Sequence, residues 1–120
     1  MVFDPPHVSE QSPKGQVNTR QAFSTHGKWD VCDLFPGFLR EARRILAPNG
    51  IVLCKIADQV HRSASRWQHV RLMLDAEKVG FTMCDLIVKG RAVAIMGAWK
   101  NAYHARKYHC FCVVLRKGRC

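Results

Sequence analysis

The chain has 120 residues, 48% of them hydrophobic and 23% charged, with a formal net charge of +10 and an isoelectric point near 9.8. That length suits a single domain over residues 1–120, and the composition excludes a disordered chain. No apolar run approaches the roughly 20 residues of a membrane span, and no basic stretch leading into an apolar one marks an export signal, so an intracellular, cytoplasmic protein without membrane association is expected.

Residues 2–4 (VFD) form the stub of a strand that runs into Pro5, Pro6 and His7. Residues 9–28 are polar and without periodicity, which predicts a long mobile loop of the kind that often carries function. Leu34, Phe35, Phe38, Leu39, Ala42, Ile45 and Leu46 recur at three- and four-residue spacing and predict a helix starting near Pro36. "PNG" at 48–50 ends it. "IVLCKIA" (51–57) reads as a strand covered on both faces, with Lys55 as its polar exception. A second helix is predicted over 61–79, with Trp67, Val70, Met73 and Leu74 on its apolar side and Gly80 as its stop. "FTMCDLIVKGR" (81–91) and "HCFCVVLRK" (109–117) are two further strands, joined by a glycine- and basic-rich connection, 92–108.

Alternation of strands and helices predicts an α/β layered fold with parallel strands and right-handed crossovers. The last connection holds no helix, so the final strand should return antiparallel, beside the strand before it or one strand further in. In such sheets, ligands bind outside the carboxyl ends of the strands. Three segments converge on that edge: Asp4 to His7; Lys55 with Asp58, Gln59 and His61; and the 92–108 connection with Trp99, His104, Arg106, Lys107 and His109. Asp58 and His61 either cap the second helix or face the pocket. Lys55 is either a salt-bridged strand end or a substrate contact, and Trp99 either a core anchor or a stacking platform. Arg106 and Lys107 suit either a solvated basic patch or phosphate contacts.

None of the six cysteines forms a C-x-x-C pair, so no zinc knuckle is expected, and His104 with His109 lacks a third ligand of clear spacing. Cys54, Cys84, Cys110 and Cys112 fall in strand-like apolar runs and read as buried free thiols, with no disulfide expected. After Asp85 there is no acidic residue, while Lys89, Arg91, Lys100, Arg106, Lys107, Arg116, Lys117 and Arg119 follow. This one-signed stretch points to a polyanionic partner, nucleic acid before a membrane surface.

"DPPH" after a strand resembles the (D/N)-P-P-(Y/F/W) signature of the S-adenosylmethionine-dependent amino methyltransferases, DNA methylases among them. "FLREARRILAPNGIVLCK" and the two closing strands resemble the part of that class I fold that follows the signature. The resemblance implies a partial Rossmann-like sheet of about four strands flanked by helices, the last strand antiparallel. It also implies roles. Asp4, Pro5 and Pro6 would grip a target amino group through the acid and carbonyls left without N–H neighbours. His7, where Tyr or Phe is commoner, would stack on a flipped base. From their place at the same sheet edge, rather than from the resemblance, Lys55, Trp99, His104, Arg106 and Lys107 are the candidate substrate contacts.

Such an enzyme needs a glycine-rich turn after its first strand to approach S-adenosylmethionine. The sequence holds no G-x-G, either early or near the C-terminus. The expectation is a target-binding half that uses the cofactor only if the missing half is supplied: a truncated fragment, one part of a split enzyme, or a relic. An exposed sheet edge would favour a homodimer or a complementary half-domain. The competing reading is a non-catalytic basic module, derived from such an enzyme, that binds nucleic acid or protein.

Overall fold

The computed structural model describes residues 1–5, 31–61, 64–90 and 109–120. The expected loop at 9–28 and connection at 92–108 lie outside the described residues, as do Pro6, His7, Trp99, His104, Arg106 and Lys107. The described elements are β1 (Val2–Phe3), a 3-10 turn (Val31–Leu34), α1 (Phe35–Ile45), β2 (Ile51–Ile56), β3 (Gln59–His61), β4 (Ala64–Arg66), α2 (Gln68–Val79), β5 (Thr82–Gly90) and β6 (His109–Arg116).

Four strands form one sheet in the order β1-β2-β6-β5. β1 runs parallel to β2, with Phe3 beside Cys54. β6 is antiparallel to both neighbours, pairing Ile56 with Phe111 on one side and Gly90 with His109 on the other. The returning strand therefore adjoins the one before it and also separates it from β2. The short β1 gains order from its side chains: Phe3 stacks on Phe38 at 3.8 Å and meets Phe35 edge-on.

Alternation in β2 sends Val52, Cys54 and Ile56 into the core, opposite Val113 and Leu115 of β6. Phe35, Leu39 and Ala42 of α1 and Leu72 and Ala76 of α2 close over the same face, with Phe81. On the opposite face of β2, Ile51 is 49% exposed and Leu53 and Lys55 are half-buried. The expectation of a strand covered on both faces is thus corrected. An apolar sequence reads alike on either face, but among the described residues both helices pack on one.

Two helix ends have a clear local cause. Gly80 takes φ 88°, and the N–H groups of Gly80 and Phe81 donate to the carbonyls of Glu77 and Ala76, the double bond of a Schellman cap. Arg43 of α1 donates to the Gly80 carbonyl at 2.6 Å and lies over the Phe81 ring, so α1 clamps the end of α2. After α1, Asn49 at φ 62° turns the chain, and its N–H donates to the Lys117 carbonyl.

Two further corrections concern the 59–79 region and the cysteines. Residues expected to start the second helix form the β3–β4 hairpin instead, and α2 begins at Gln68. Its buried stripe is Gln68, Leu72, Asp75 and Ala76, whereas Trp67, Val70 and Leu74 are exposed. Polar residues fill the inward positions because Asp75 is compensated by Arg71 at 2.9 Å and Lys78 at 3.4 Å. Cys84 is exposed rather than buried and forms a disulfide with Cys120, with Cα atoms 5.6 Å apart. The C-terminal residues after β6 fold back far enough to reach it. Cys54 and Cys110 are free and buried, while Cys112 is half-buried.

Candidate functional site

The parallel strands β1 and β2 end, and the antiparallel β6 begins, along one edge of the sheet. The structure brings together two of the residues singled out in the sequence there. Lys55 Nζ donates to Asp4 Oδ2 at 2.7 Å, with the two side chains 33% and 45% exposed. A pair this wet contributes at most about 1 kcal/mol; its effect is to fix the direction of the Asp4 carboxylate. Pro5 follows, buried and without an N–H to donate. Lys55 thus takes the salt-bridged strand-end arrangement.

A second constellation occupies the same edge. Asp58, two residues beyond β2, has a side chain only 1% exposed. Its Oδ1 accepts the backbone N–H of His69 at 3.2 Å and lies 2.7 Å from His69 Nδ1. Asp58 therefore caps the first turn of α2 from a distance, in place of the N-cap residue Trp67, which makes no side-chain cap. The short contact to a carboxylate assigns a proton to Nδ1, which donates to Asp58 Oδ1. The His69 ring stacks on Phe111 of β6 at 3.8 Å and 20°, Trp67 meets it edge-on, and His109 meets Phe111 edge-on at 5.0 Å. His61 lies in β3.

Asp58 Oδ2 and Gln68 Oε1 are buried without a hydrogen-bond partner among the described residues. Such groups carry a desolvation cost of about 1–3 kcal/mol each. The arrangement is a carboxylate-backed imidazole, the pattern that lets a histidine hold or accept a proton. Neither His69 nor Phe111 is legible in the sequence as a site residue. Eleven residues and a hairpin separate Asp58 from His69, and a core-like alternation conceals Phe111, so no local signal marks either. Among the described residues no group of three metal-ligating side chains occurs, and no helix is long and apolar enough to cross a membrane. Cys54, whose thiol burial pushes up to about 12, is not a nucleophile at neutral pH.

No family model and no curated protein matches the chain. Solved structures do. A putative DNA modification methylase from Thermus thermophilus matches at 18% identity and a TM-score of 0.64, over 99% of this chain and 44% of that one. The same protein complexed with S-adenosyl-L-methionine matches over 99% of this chain and 47% of its own. PvuII DNA methyltransferase, described as cytosine-N4-specific, matches at 16% identity and a TM-score of 0.66, over 97% and 41%. The chain therefore has a methyltransferase-like α/β fold. It spans less than half the length of these structures.

Proposed function

We propose that the chain is the target-binding part of an S-adenosylmethionine-dependent methyltransferase acting on an exocyclic amino group of DNA. The observation that carries this is the placement of Asp4 and Pro5 at the carboxyl end of β1, on the sheet edge where Lys55 holds the acid in position. In this reading the Asp4 carboxylate and the carbonyls around Pro5 and Pro6 accept the amino hydrogens, which aims the nitrogen lone pair. His7 packs against the base.

The described residues do not fit a cofactor site by themselves. Among the described glycines, Gly50 and Gly80 precede strands, Gly37 lies in α1, Gly118 follows the antiparallel β6, and Gly90 stands at the carboxyl end of β5 with nothing within 4 Å of its Cβ position. S-adenosylmethionine supplies an electrophilic methyl group when bound, and in this proposal its cradle belongs to a further segment or a complementary half-domain.

Two measurements test the reading. In calorimetric titration the 120-residue chain alone should not bind S-adenosylmethionine, and the chain joined to a cofactor-binding half should. That joined protein should transfer tritiated methyl groups to DNA nitrogen, and Asp4→Ala should lower the rate by about 100-fold or more. Undiminished transfer by Asp4→Ala, or methylation at carbon, overturns the assignment.

A further inference from the structure

β5 is an edge of the four-stranded sheet, and each of its residues is exposed. Hydrogen-bond alternation across the sheet fixes which of its backbone groups point outward. The Leu53 N–H donates to the Met1 carbonyl, on the β1 side, so Val52, Cys54 and Ile56 turn their polar backbone groups to β6. Their partners Leu115, Val113 and Phe111 turn back toward β2, which leaves Val114, Cys112 and Cys110 to bond β5. Asp85, Ile87 and Lys89 are therefore spent on β6, and the N–H and C=O groups of Leu86, Val88 and Gly90 face outward. The Leu86 N–H has found a local substitute for a strand partner: it donates to Asp85 Oδ1 at 2.8 Å. At Gly90 nothing lies within 4 Å of the Cβ position. The register shift between Met83 and Asp85 interrupts the edge at its other end. Residues 85–90 thus form a regular open run without proline. Leu86 and Val88 lie on the helix-bearing face, beside Val113 and Phe111, and Asp85, Ile87 and Lys89 lie on the other.

We propose that β5 pairs antiparallel with β5 of a second copy of this chain, about a two-fold axis at Ile87. In this register Leu86 lies opposite the partner's Val88, and the two exchange both of their outward backbone bonds. Ile87 meets the partner's Ile87 on the axis as a close, non-hydrogen-bonded pair. Asp85 falls opposite the partner's Lys89 on the same face, once on each side of the axis. The Leu86 N–H exchanges the Asp85 carboxylate for the partner's Val88 carbonyl, which frees Asp85 for the partner's Lys89. A slip of one residue sets outward groups against inward ones, and a slip of two separates Asp85 from the partner's Lys89. Opposite charges and apolar side chains directly across from one another are the contacts that stabilise a sheet. The pairing is independent of methyl transfer and needs no cofactor.

The test is sedimentation equilibrium of the full chain from about 1 µM to about 1 mM, where a contact this small should give a monomer–dimer equilibrium. Hydrogen exchange should slow most at the amides of Leu86 and Val88 as the concentration rises. Val88→Pro removes an N–H that β6 does not use, and it should weaken dimerisation by about tenfold or more. Lys89→Asp sets like charges opposite each other and should weaken it by about fivefold. General repulsion between chains of net charge +10 predicts the reverse for that variant. Adding Asp85→Lys to Lys89→Asp restores the opposite charges and should recover the affinity to within about threefold. Ile51, exposed on the same sheet face as Ile87, is the control, and Ile51→Lys should change the affinity by less than about threefold. Circular dichroism checks that each variant is folded, and the charge exchange decides the matter if Val88→Pro does not fold. Non-reducing electrophoresis excludes cross-linking through the free cysteines. A monomer throughout the concentration range overturns the proposal, as does wild-type dimerisation by both Val88→Pro and Lys89→Asp. Failure of the double variant to recover overturns it too, and so does an equal loss in Ile51→Lys, which would place the contact on the sheet face instead.

Discussion

Asp58 stands between two jobs. Its Oδ1 caps α2 and orients His69, while its Oδ2 is buried without a partner among the described residues. Asp58→Ala should lose the cap and destabilise the fold by about 1–2 kcal/mol in urea titration. Asp58→Asn should lose less, because an amide oxygen still accepts the His69 N–H. Equal losses would show that charge, not capping, dominates. Cys54 gives a pH prediction. Burial raises its thiol from 9.0 to about 12 in the folded state, so the unfolded chain ionises first. Its contribution to stability is fully present below pH 9.0 and is lost as pH rises toward about 12. Replacing Cys54 with Val should flatten the stability profile in that window, and an unchanged alkaline slope would contradict the assignment. The same burial predicts that iodoacetamide labels Cys54 of the native chain only on unfolding.

At the level of elements, the end of α2 is specified locally and locked by α1. Gly80→Ala must hold φ 88° and place a Cβ 3.3 Å from the Arg43 guanidinium. It should cost about 1–2 kcal/mol, measured as a lowered urea midpoint with unchanged slope. Arg43→Ala should cost less and should reduce the penalty of the glycine substitution, since the two share one contact. α1 and the Gly80 stop could be read from the sequence because apolar spacing and a C-terminal glycine are local signals. The inward face of α2 could not. Gln68 and Asp75 point inward, and Val70 and Leu74 point out. That choice depends on partners: Arg71 and Lys78 make a buried Asp75 tolerable. The hairpin was missed for a related reason, because "HRSASR" carries no period of either kind.

Across the whole molecule, the sheet presents one helix-covered face and one less covered. The second face exposes Ile51 and Ile87 and half-buries Leu53, Cys112 and Val114. β5 is exposed along its length at the sheet edge. Surfaces of this kind bind other chains. Sedimentation should detect self-association of the isolated chain at micromolar concentration, weakened by Ile87→Lys. A monomer at all concentrations would rule this out. The Cys84–Cys120 disulfide closes a loop with a sequence separation of 36. Its reduction should lower stability by up to about 4 kcal/mol, and Cys120→Ser should reproduce the change.

The strand–helix alternation, the antiparallel return of the last strand and the arrival of Asp4 and Lys55 at one edge were all legible in the order of residues. Each of these rests on local spacing, on turn chemistry or on the handedness of crossovers. Packing alone settled that Lys55 pairs with Asp4, that Asp58 backs His69 and that Cys84 meets Cys120. These pairings join residues from different elements, and which groups meet depends on how the helices and strands pack, a distance that no sequence period encodes.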